Sequence, residues 1–338
     1  MKRYISAILA AALLAVSCAH EGKTVANESQ KLYLESWMAV NHPGINPTGL
    51  GIYILEDTPG TGIEWTSDFF YVFVECTVKQ LDGTVIQTNN VKLSRQLGTY
   101  DKTASYEPVV WTIGENYCYA GVEEMLKGMK VGGSRTAVIP NWLLTASRYD
   151  SADDYLEKTV DSSPVIYSIT LKGLTRDMQK YSTGELDTYV RTHIDPALDS
   201  TYYNNVDGSR LGFYFKSLKQ PSDSIIPSGS TGYLWYVARR LDGQVIDTNI
   251  ADTAKVHNIY NASGSYTPVS ITFAEDYTEI QLDGNSCITG FQAALFRMHA
   301  YEKAYTAFYY GLGYGATSKT LIPSYSSLQF ELELVDKQ

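Results

Sequence analysis

The spacing of apolar residues along this chain predicts two pairs of similar elements. Over Gly121–Lys130 and Gly290–His299 apolar residues recur three and four positions apart, the pattern of a helix with one buried face. Over Phe69–Lys79 and Gly232–Arg240 aromatic and small residues alternate, which predicts strands. In the first predicted helix we expect the buried face to consist of Val122, Met125, Leu126 and Met129. In the second we expect it to consist of Phe291, Ala294, Leu295 and Met298.

Each predicted strand runs into Leu-Asp-Gly, which is typical of a tight hairpin because Asp and Gly tolerate positive φ. Return strands are therefore expected at Val85–Thr88 and Val245–Thr248. The other predicted elements are opening helices at Ser29–Ala39 and Thr183–His193, short strands at Gly51–Leu55 and Gly212–Phe215, and closing strands at Ser134–Ile139, Val165–Leu171, Ala304–Tyr309 and Ser327–Leu334. An antiparallel sheet wrapped on one short helix is an α+β fold.

The elements recur because the sequence repeats. Leu81–Asn89 reads LDGTVIQTN and returns as LDGQVIDTN at Leu241–Asn249, with seven of nine positions identical at an offset of 160. SYEPV at Ser105–Val109 returns as SYTPV at Ser265–Val269. The chain therefore contains two copies of one module of about 150 residues, an ordinary domain size. We call them module one and module two, with the polar stretch Thr175–Ser182 as their predicted boundary.

The first residues read as a targeting segment. Lys2 and Arg3 precede the apolar run Ile5–Val16, and small residues then lead to Cys18, which resembles a bacterial lipobox. We expect a lipoprotein signal peptide over residues 1–18, a lipidated Cys18 and a linker over residues 19–30. The protein would then be lipid-anchored to a bacterial membrane in the cell envelope, on the periplasmic or surface face. An ordinary cleaved signal with an incidental cysteine is the alternative.

Composition narrows the function classes. The net charge of −10 argues against a nucleic-acid partner. Cys76, Cys118 and Cys287 lack short spacing, so neither a disulfide framework nor a zinc site is predicted, and we expect no metal and no cofactor. The 27 tyrosines favour β structure, although an aromatic excess also suits glycan stacking.

Module two contains a series of short motifs spread over about 100 residues, a typical domain length. In chain order they are Tyr236, Leu241-Asp242-Gly243, Ile246-Asp247-Thr248, Ile288, Gly290-Phe291, Met298, Tyr314-Gly315, Ile322-Pro323 and the closing LQFELEL of Leu328–Leu334. This order resembles that of the FKBP-type peptidyl-prolyl cis-trans isomerases. The resemblance implies two tandem FKBP-like domains, each an antiparallel sheet wrapped on a short helix.

The resemblance also implies a site in module two. Phe291 stands at the floor position, and the Ile288 backbone N–H would hold the substrate carbonyl. Asp247 and Tyr314 would be the polar groups. The apolar positions that would wall the site or bind substrate are Tyr236, Ile246, Val269, Ile271, Ile288, Ile322 and Phe330. Each polar or floor position also has a structural interpretation: Phe291 as core, Tyr314 as a loop residue and Asp247 as a sheet-edge carboxylate.

Module one departs from the family pattern at the matched positions, which are Cys76, Gln87, Tyr119, Val122 and Thr145. We therefore expect a degenerate FKBP-like domain over residues 31–175 and a domain with a retained site over residues 176–338.

The expected function is a membrane-anchored, extracytoplasmic peptidyl-prolyl cis-trans isomerase that assists the folding of exported proteins. Its partners would be proline-containing polypeptide clients and, through the anchor, a membrane. One alternative is a non-catalytic FKBP-like chaperone or binding lipoprotein. Another is a glycan-binding surface lipoprotein, suggested by the anchor and by the aromatic stretch Tyr301–Tyr310.

Overall fold

A computed structural model describes residues 26–158, 160–200, 212–220 and 223–336. The predicted signal peptide 1–18, Cys18 and most of the predicted linker 19–30 lie outside the described residues, as does Leu211.

Module one forms a six-stranded antiparallel sheet with the strand order β1-β5-β6-β2-β3, and β4 pairs with β2. Its elements are α1 Glu28–Asn41, β1 Tyr53–Thr58, β2 Tyr71–Gln80, β3 Val85–Thr88, α2 Val91–Gln96, β4 Val109–Thr112, α3 Ala120–Leu126, β5 Ser134–Ile139, a 3-10 turn Asn141–Leu143, α4 Ala152–Leu156 and β6 Val165–Thr175.

Module two forms an eight-stranded antiparallel sheet with the order β12-β11-β10-β8-β14-β13-β7, and β9 pairs with β8. Its elements are α5 Met178–His193, β7 Phe213–Lys219, β8 Thr231–Arg240, β9 Val245–Thr248, α6 Ala251–Val256, β10 Val269–Thr272, a 3-10 turn Tyr277–Glu279, β11 Gln281–Leu282, β12 Asn285–Ser286, α7 Thr289–Leu295, β13 Lys303–Phe308, a 3-10 turn Tyr310–Leu312 and β14 Leu328–Val335. The predicted α+β fold with antiparallel sheets is confirmed.

The Asp-Gly hairpins form as predicted, and β3 and β9 have the predicted bounds. Gly83 and Gly243 adopt φ of +90° and +85°, which a residue with a Cβ rarely adopts. The preceding aspartate completes each turn, since Asp82 Oδ1 accepts a hydrogen bond from the Thr84 N–H at 2.8 Å and Asp242 Oδ1 does so from Gln244.

Helices α3 and α7 bury the predicted faces but end earlier than their apolar pattern. In α3 the chain leaves the helix at Lys127, and Gly128 follows at φ +73°. A glycine lets each helix approach its sheet. A Cβ on Gly290 would lie 2.4 Å from the Phe308 ring, and one on Gly121 would lie 2.4 Å from Ile139 Cγ2.

A second helix covers the opposite face of the sheet in module two. Leu186 and Val190 of α5 pack with Tyr214 of β7 and Tyr305 of β13 in a separate apolar cluster. In module one, Leu34 and Met38 of α1 join the main core instead. Strand β13 therefore has apolar neighbours on both faces, from α7 on one side and from α5 on the other.

The two modules touch at the start of β2, an inner strand of the module one sheet. The rings of Phe73 and Tyr181 lie 4.4 Å apart, and Tyr71 packs edge-on against Tyr325. The predicted boundary Thr175–Ser182 contains the end of β6 and the first turn of α5.

Candidate functional site

The pairing of β8 with β9 brings together two of the predicted site residues. Asp247 lies opposite Ala238, so its carboxylate reaches the Tyr236 side chain two residues earlier on β8. The Tyr236 hydroxyl donates a hydrogen bond of 2.8 Å to Asp247 Oδ2. Asp247 is exposed and Tyr236 is half-buried, so this pair lies where the sheet meets solvent.

Phe291 lies directly beneath this pair. The α7 helix presents its ring to the sheet, and the ring is 3% exposed. It packs edge-on against Tyr236 at 6.1 Å and against Phe330 at 5.0 Å, and Phe330 stacks on Phe308. Edge-to-face aromatic pairs at these separations are favourable, so the floor position is rigidly supported.

The predicted wall residues surround the same aromatic group. Ile246, Val269, Ile288 and Ile322 are half-buried and pack against the core cluster that contains Phe291. They reach it from β9, β10, the start of α7 and the loop before β14. Ile271 differs because it is fully buried, so it supports the cluster from inside.

Burial keeps both tyrosine hydroxyls of the site protonated. Loss of hydration raises the pKa of Tyr236 far above its usual range, and the negative charge of Asp247 raises it further. The pKa of Tyr314 is raised by the same two causes in the same order. Tyr314 is 38% exposed, and Asp247 influences both rings, so the three polar groups share one mouth. Two neutral hydroxyls therefore lie near an apolar floor: that of Tyr236 donates to Asp247, and that of Tyr314 stands at the same mouth.

The Ile288 backbone N–H donates no hydrogen bond within the described part of the chain. Its neighbours do: the N–H groups of Phe291 and Gln292 both bond to the Ile288 carbonyl. A backbone donor beside the floor ring thus has no partner in the described part of the chain, so it is free to bind a ligand carbonyl.

Sequence reasoning missed two amides that fix the site. Asn249 is buried; its Oδ1 accepts from the Tyr236 N–H at 2.9 Å, and its Nδ2 donates to the carbonyls of Leu234 and Thr267. Gln292 is also buried and donates to the Thr278 and Ile280 carbonyls. The sequence could have pointed to Asn249, because the repeated nonapeptide ends in Asn in both copies. Nothing in the sequence points to Gln292.

Module one contains an open cleft at the matched position, with a volume of about 310 Å³. Val122 replaces the floor ring, and Cys76 replaces the tyrosine of β8. The structure places Tyr119 and Gln87 on the cleft as well, but not Thr145, the fifth changed position. Burial raises the pKa of the Cys76 and Cys118 thiols to about 12. Both are therefore neutral thiols at physiological pH.

The three cysteines among the described residues are free thiols; Cys76 and Cys118 are buried and Cys287 is half-buried. Among the described residues no three His, Cys, Asp or Glu side chains are grouped as metal ligands would be. Within that same part of the chain, no helix combines the length and the apolar character that crossing a bilayer requires.

Comparison with known proteins identifies the family. The model of the FKBP-type peptidyl-prolyl cis-trans isomerase family matches residues 67–172 and 224–335, one stretch in each module. The chain belongs to the FKBP-type peptidyl-prolyl cis-trans isomerase family, as the motif order predicted. Both modules fall within the family, including the one that lacks the site residues.

Individual relatives are distant. The chain is similar to a short-type peptidyl-prolyl cis-trans isomerase of Methanocaldococcus jannaschii, with 32% identity over 63 residues, or 19% of this chain. The match spans 40% of that relative's length. Among solved structures, the three FKBP domains of wheat FKBP73 share 17% identity, covering 84% of this chain and 94% of that one, with a TM-score of 0.29. FkpA from Escherichia coli shares 17% identity, and the match covers 47% of this chain and 62% of that one, with a TM-score of 0.31.

Proposed function

We propose that this protein is a peptidyl-prolyl cis-trans isomerase whose working site lies in module two, residues 176–338. The observation that carries the proposal is the Tyr236–Asp247 hydrogen bond of 2.8 Å placed above the buried Phe291 ring. Family membership supports it, as does the unpaired Ile288 N–H. The clients would be polypeptides that contain proline.

The geometry suits a reaction that makes and breaks no covalent bond. Rotation about an X–Pro peptide bond crosses a barrier of about 20 kcal/mol and takes tens of seconds or longer without a catalyst. In the twisted state the amide loses resonance and polarity, so an apolar floor such as Phe291 favours that state over the planar one. Donors at the rim would hold the carbonyl in place. An interaction that is stronger in the twisted state than in the planar one supplies rate.

The test is a cis/trans exchange assay on a short X–Pro peptide with the full chain. We expect the unchanged chain to accelerate the exchange. Tyr236→Phe should reduce this acceleration about tenfold, because it removes only the hydroxyl and with it the hydrogen bond to the Asp247 carboxylate. A hydrogen bond to a charged group contributes about 1.5 kcal/mol or more. Tyr233→Phe, a hydroxyl loss on the same strand outside the site, is the control and should match the unchanged chain. Absence of any acceleration by the unchanged chain would refute the proposal.

We also propose that the protein works at a membrane outside the cytoplasm, attached through lipid on Cys18. The support is the sequence of the leader, with Lys2 and Arg3 before Ile5–Val16. Several acyl chains on one protein give far firmer attachment than one. Cys18→Ser should move the protein from the membrane fraction to the soluble fraction, whereas Cys287→Ser should not. Membrane retention of the Cys18 variant would contradict the anchor.

The alternative of a glycan-binding surface rests on the five aromatic residues of Tyr301–Tyr310. Tyr305 and Phe308 are buried in the sheet, Tyr309 and Tyr310 are half-buried, and Tyr301 is exposed. A non-catalytic binding role is favoured for module one alone, by the cleft at its matched position.

A further inference from the structure

The cleft in module one differs in kind from the site in module two. Of its twelve lining residues, four are aromatic, four are valine, two are cysteine and the remaining two are Gln87 and Thr112. The ring of Trp111 packs edge-on against Tyr167 at 6.2 Å on one wall. At the base, Val122 occupies the position of Phe291 and is much smaller, so it leaves the space that a phenyl ring fills in module two.

The cleft carries no charge. None of its lining residues is acidic or basic, and the raised pKa values keep Cys76 and Cys118 protonated. Arg148 and Glu123, whose charges act on the lining residue Cys118, bond to each other at 2.5 Å. An ionic group entering this cleft would lose hydration without gaining a partner, which is costly. Electrostatics therefore favours a neutral, apolar occupant.

The lining also distinguishes between apolar occupants. Thiol sulfur makes favourable contacts with aromatic rings, and aromatic walls add edge-to-face interactions that an aliphatic group cannot make. Two sulfur atoms at the base and the Trp111–Tyr167 pair on the wall thus favour a ring. Proline would find neither the Tyr–Asp pair nor the floor ring of module two at the matched positions Cys76, Gln87 and Val122.

The geometry points to module one as a binding site for an aromatic side chain of a polypeptide, which it holds without isomerising it. A polypeptide is favoured over a free aromatic molecule because the mouth is open. Tyr117 and Tyr119, at the rim, are 74% and 44% exposed, and Gln87 is exposed beside them. Backbone on either side of a bound ring can leave the cleft across this rim. A volume of about 310 Å³ is at the small end of ligand clefts, which suits one ring rather than a larger molecule.

The experiment measures binding of acetyl-Gly-Gly-X-Gly-Gly-amide peptides to the full chain by calorimetry, with X as Trp, Phe, Leu or Ala. Free N-acetyl-tryptophan amide tests whether the flanking backbone matters. We expect the Trp and Phe peptides to bind at least tenfold more tightly than the Leu and Ala peptides, and more tightly than the free amide. Equal affinity for Phe and Leu peptides would overturn the inference, and equal affinity for the free amide would overturn its polypeptide part.

Location is tested by filling the cleft. Val122→Phe places in module one the side chain that module two already has, and should weaken Trp-peptide binding at least tenfold. Ile86→Phe adds the same ring at an exposed position of β3 that does not line the cleft, and should leave binding unchanged. Unchanged binding in a folded Val122→Phe protein would overturn the inference. If that variant fails to fold, Trp111→Ala takes its place, with the same tenfold loss expected and unchanged binding again overturning the inference.

The inference is independent of isomerase activity. Tyr236→Phe should bind the Trp peptide as the unchanged chain does, and Val122→Phe should keep the full isomerase rate. A Trp peptide that loses affinity in Tyr236→Phe instead would lie in module two, which contradicts the assignment to module one but leaves the proposed isomerase intact.

Discussion

Modules one and two share the hydrogen bonds that build the fold and differ in the side chains that line the site. Asn89 and Asn249 make the same three backbone bonds. Tyr106 and Tyr266 each accept from a backbone N–H five residues earlier. Within the repeated nonapeptide, the two differences are Thr84 against Gln244 and Gln87 against Asp247. Internal identity therefore marks the scaffold, and the residues of the proposed site lie where the copies diverge.

The strongest test of this contrast removes the floor from each module. Phe291→Ala should abolish isomerase activity and destabilise the protein by about 3–5 kcal/mol, the usual cost of emptying a buried aromatic position. Val122→Ala, at the matched position, should cost only about 2 kcal/mol, since two buried carbon atoms are lost, and should leave the isomerase rate unchanged. Rate assays and chemical denaturation measure both. A loss of rate in the Val122 variant would show that module one takes part in the reaction.

A second difference lies at the end of the long central strand, where module two has Arg240 and module one has Gln80. The Arg240 guanidinium is 5% exposed; it bonds to Asp242, to the Leu321 carbonyl at 2.7 Å and, across the modules, to the carbonyls of Thr103 and Ala104. Leu321 precedes the wall residue Ile322.

Arg240→Ala should therefore lower the free energy of unfolding by about 2–3 kcal/mol, because hydrogen bonds to a charged group are lost and buried carbonyls are left unpaired. Arg239→Ala is the matched control on the next residue. Its ion pair with Glu331 is partly exposed, so a change of about 1 kcal/mol or less is expected. The midpoints of denaturant unfolding measure the loss of stability in each variant. Equal losses in the two variants would show that the inter-module bonds contribute nothing.

The thiols of module one predict a pH dependence. The pKa of Cys76 and that of Cys118 rise from near 9 to about 12 because the folded protein buries the neutral form. The unfolded chain then releases these protons first, so their contribution to stability is present below pH 9 and is lost as pH rises towards 12. Each thiol should cost about 1.4 kcal/mol per pH unit in that window. The free energy of unfolding of Cys76→Ala, measured from pH 8 to 11, should decline less steeply than that of the unchanged chain. Val78→Ala, a buried change on the same strand that removes no titratable group, is the control and should decline as steeply as the unchanged chain.

The smallest expected effect separates rate from stability. Asp247→Ala should slow isomerisation about threefold to tenfold, since the Tyr236 hydroxyl loses its partner. The free energy of unfolding should change by about 0.5 kcal/mol or less, because the carboxylate is exposed. Gln87→Ala, its exposed counterpart in module one, should change neither quantity. An Asp247 variant that unfolds readily, yet works at full rate while folded, would make the aspartate a structural sheet-edge residue.

The sequence predicted those parts of the fold that local rules determine. The strands β3 and β9 have their predicted bounds because the Asp-Gly turn sets the register of its hairpin. The two short helices were predicted too long, since the apolar pattern continues through residues that leave the helix after Leu126 and Leu295. The helices α2 and α6 were missed, because six residues are too few to show a period.

The candidate site was predictable only through family resemblance. The positions of these residues in the sequence do not predict that Tyr236 contacts Asp247 and Phe291. The first contact depends on the pairing of β8 with β9, and the second depends on the packing of α7 against the sheet. The module one cleft could not be predicted, because an absent ring at Val122 creates space only when the backbone around it is held in place. The role of Arg240 could not be predicted, since its partners other than Asp242 are backbone carbonyls of two distant loops.

The Asn249 amide also bears on the order in which the chain folds. Its three bonds join residues only 13 to 18 positions apart, so closing them costs little loop entropy. The closing strand β14 pairs with β8 across a much longer loop, as in the pairing of Leu332 with Tyr236. Contacts between distant residues form more slowly. Tyr236 and Asp247 thus meet within an early local unit, whereas Phe330 joins them late. During synthesis the proposed site would be completed only after β14 has emerged.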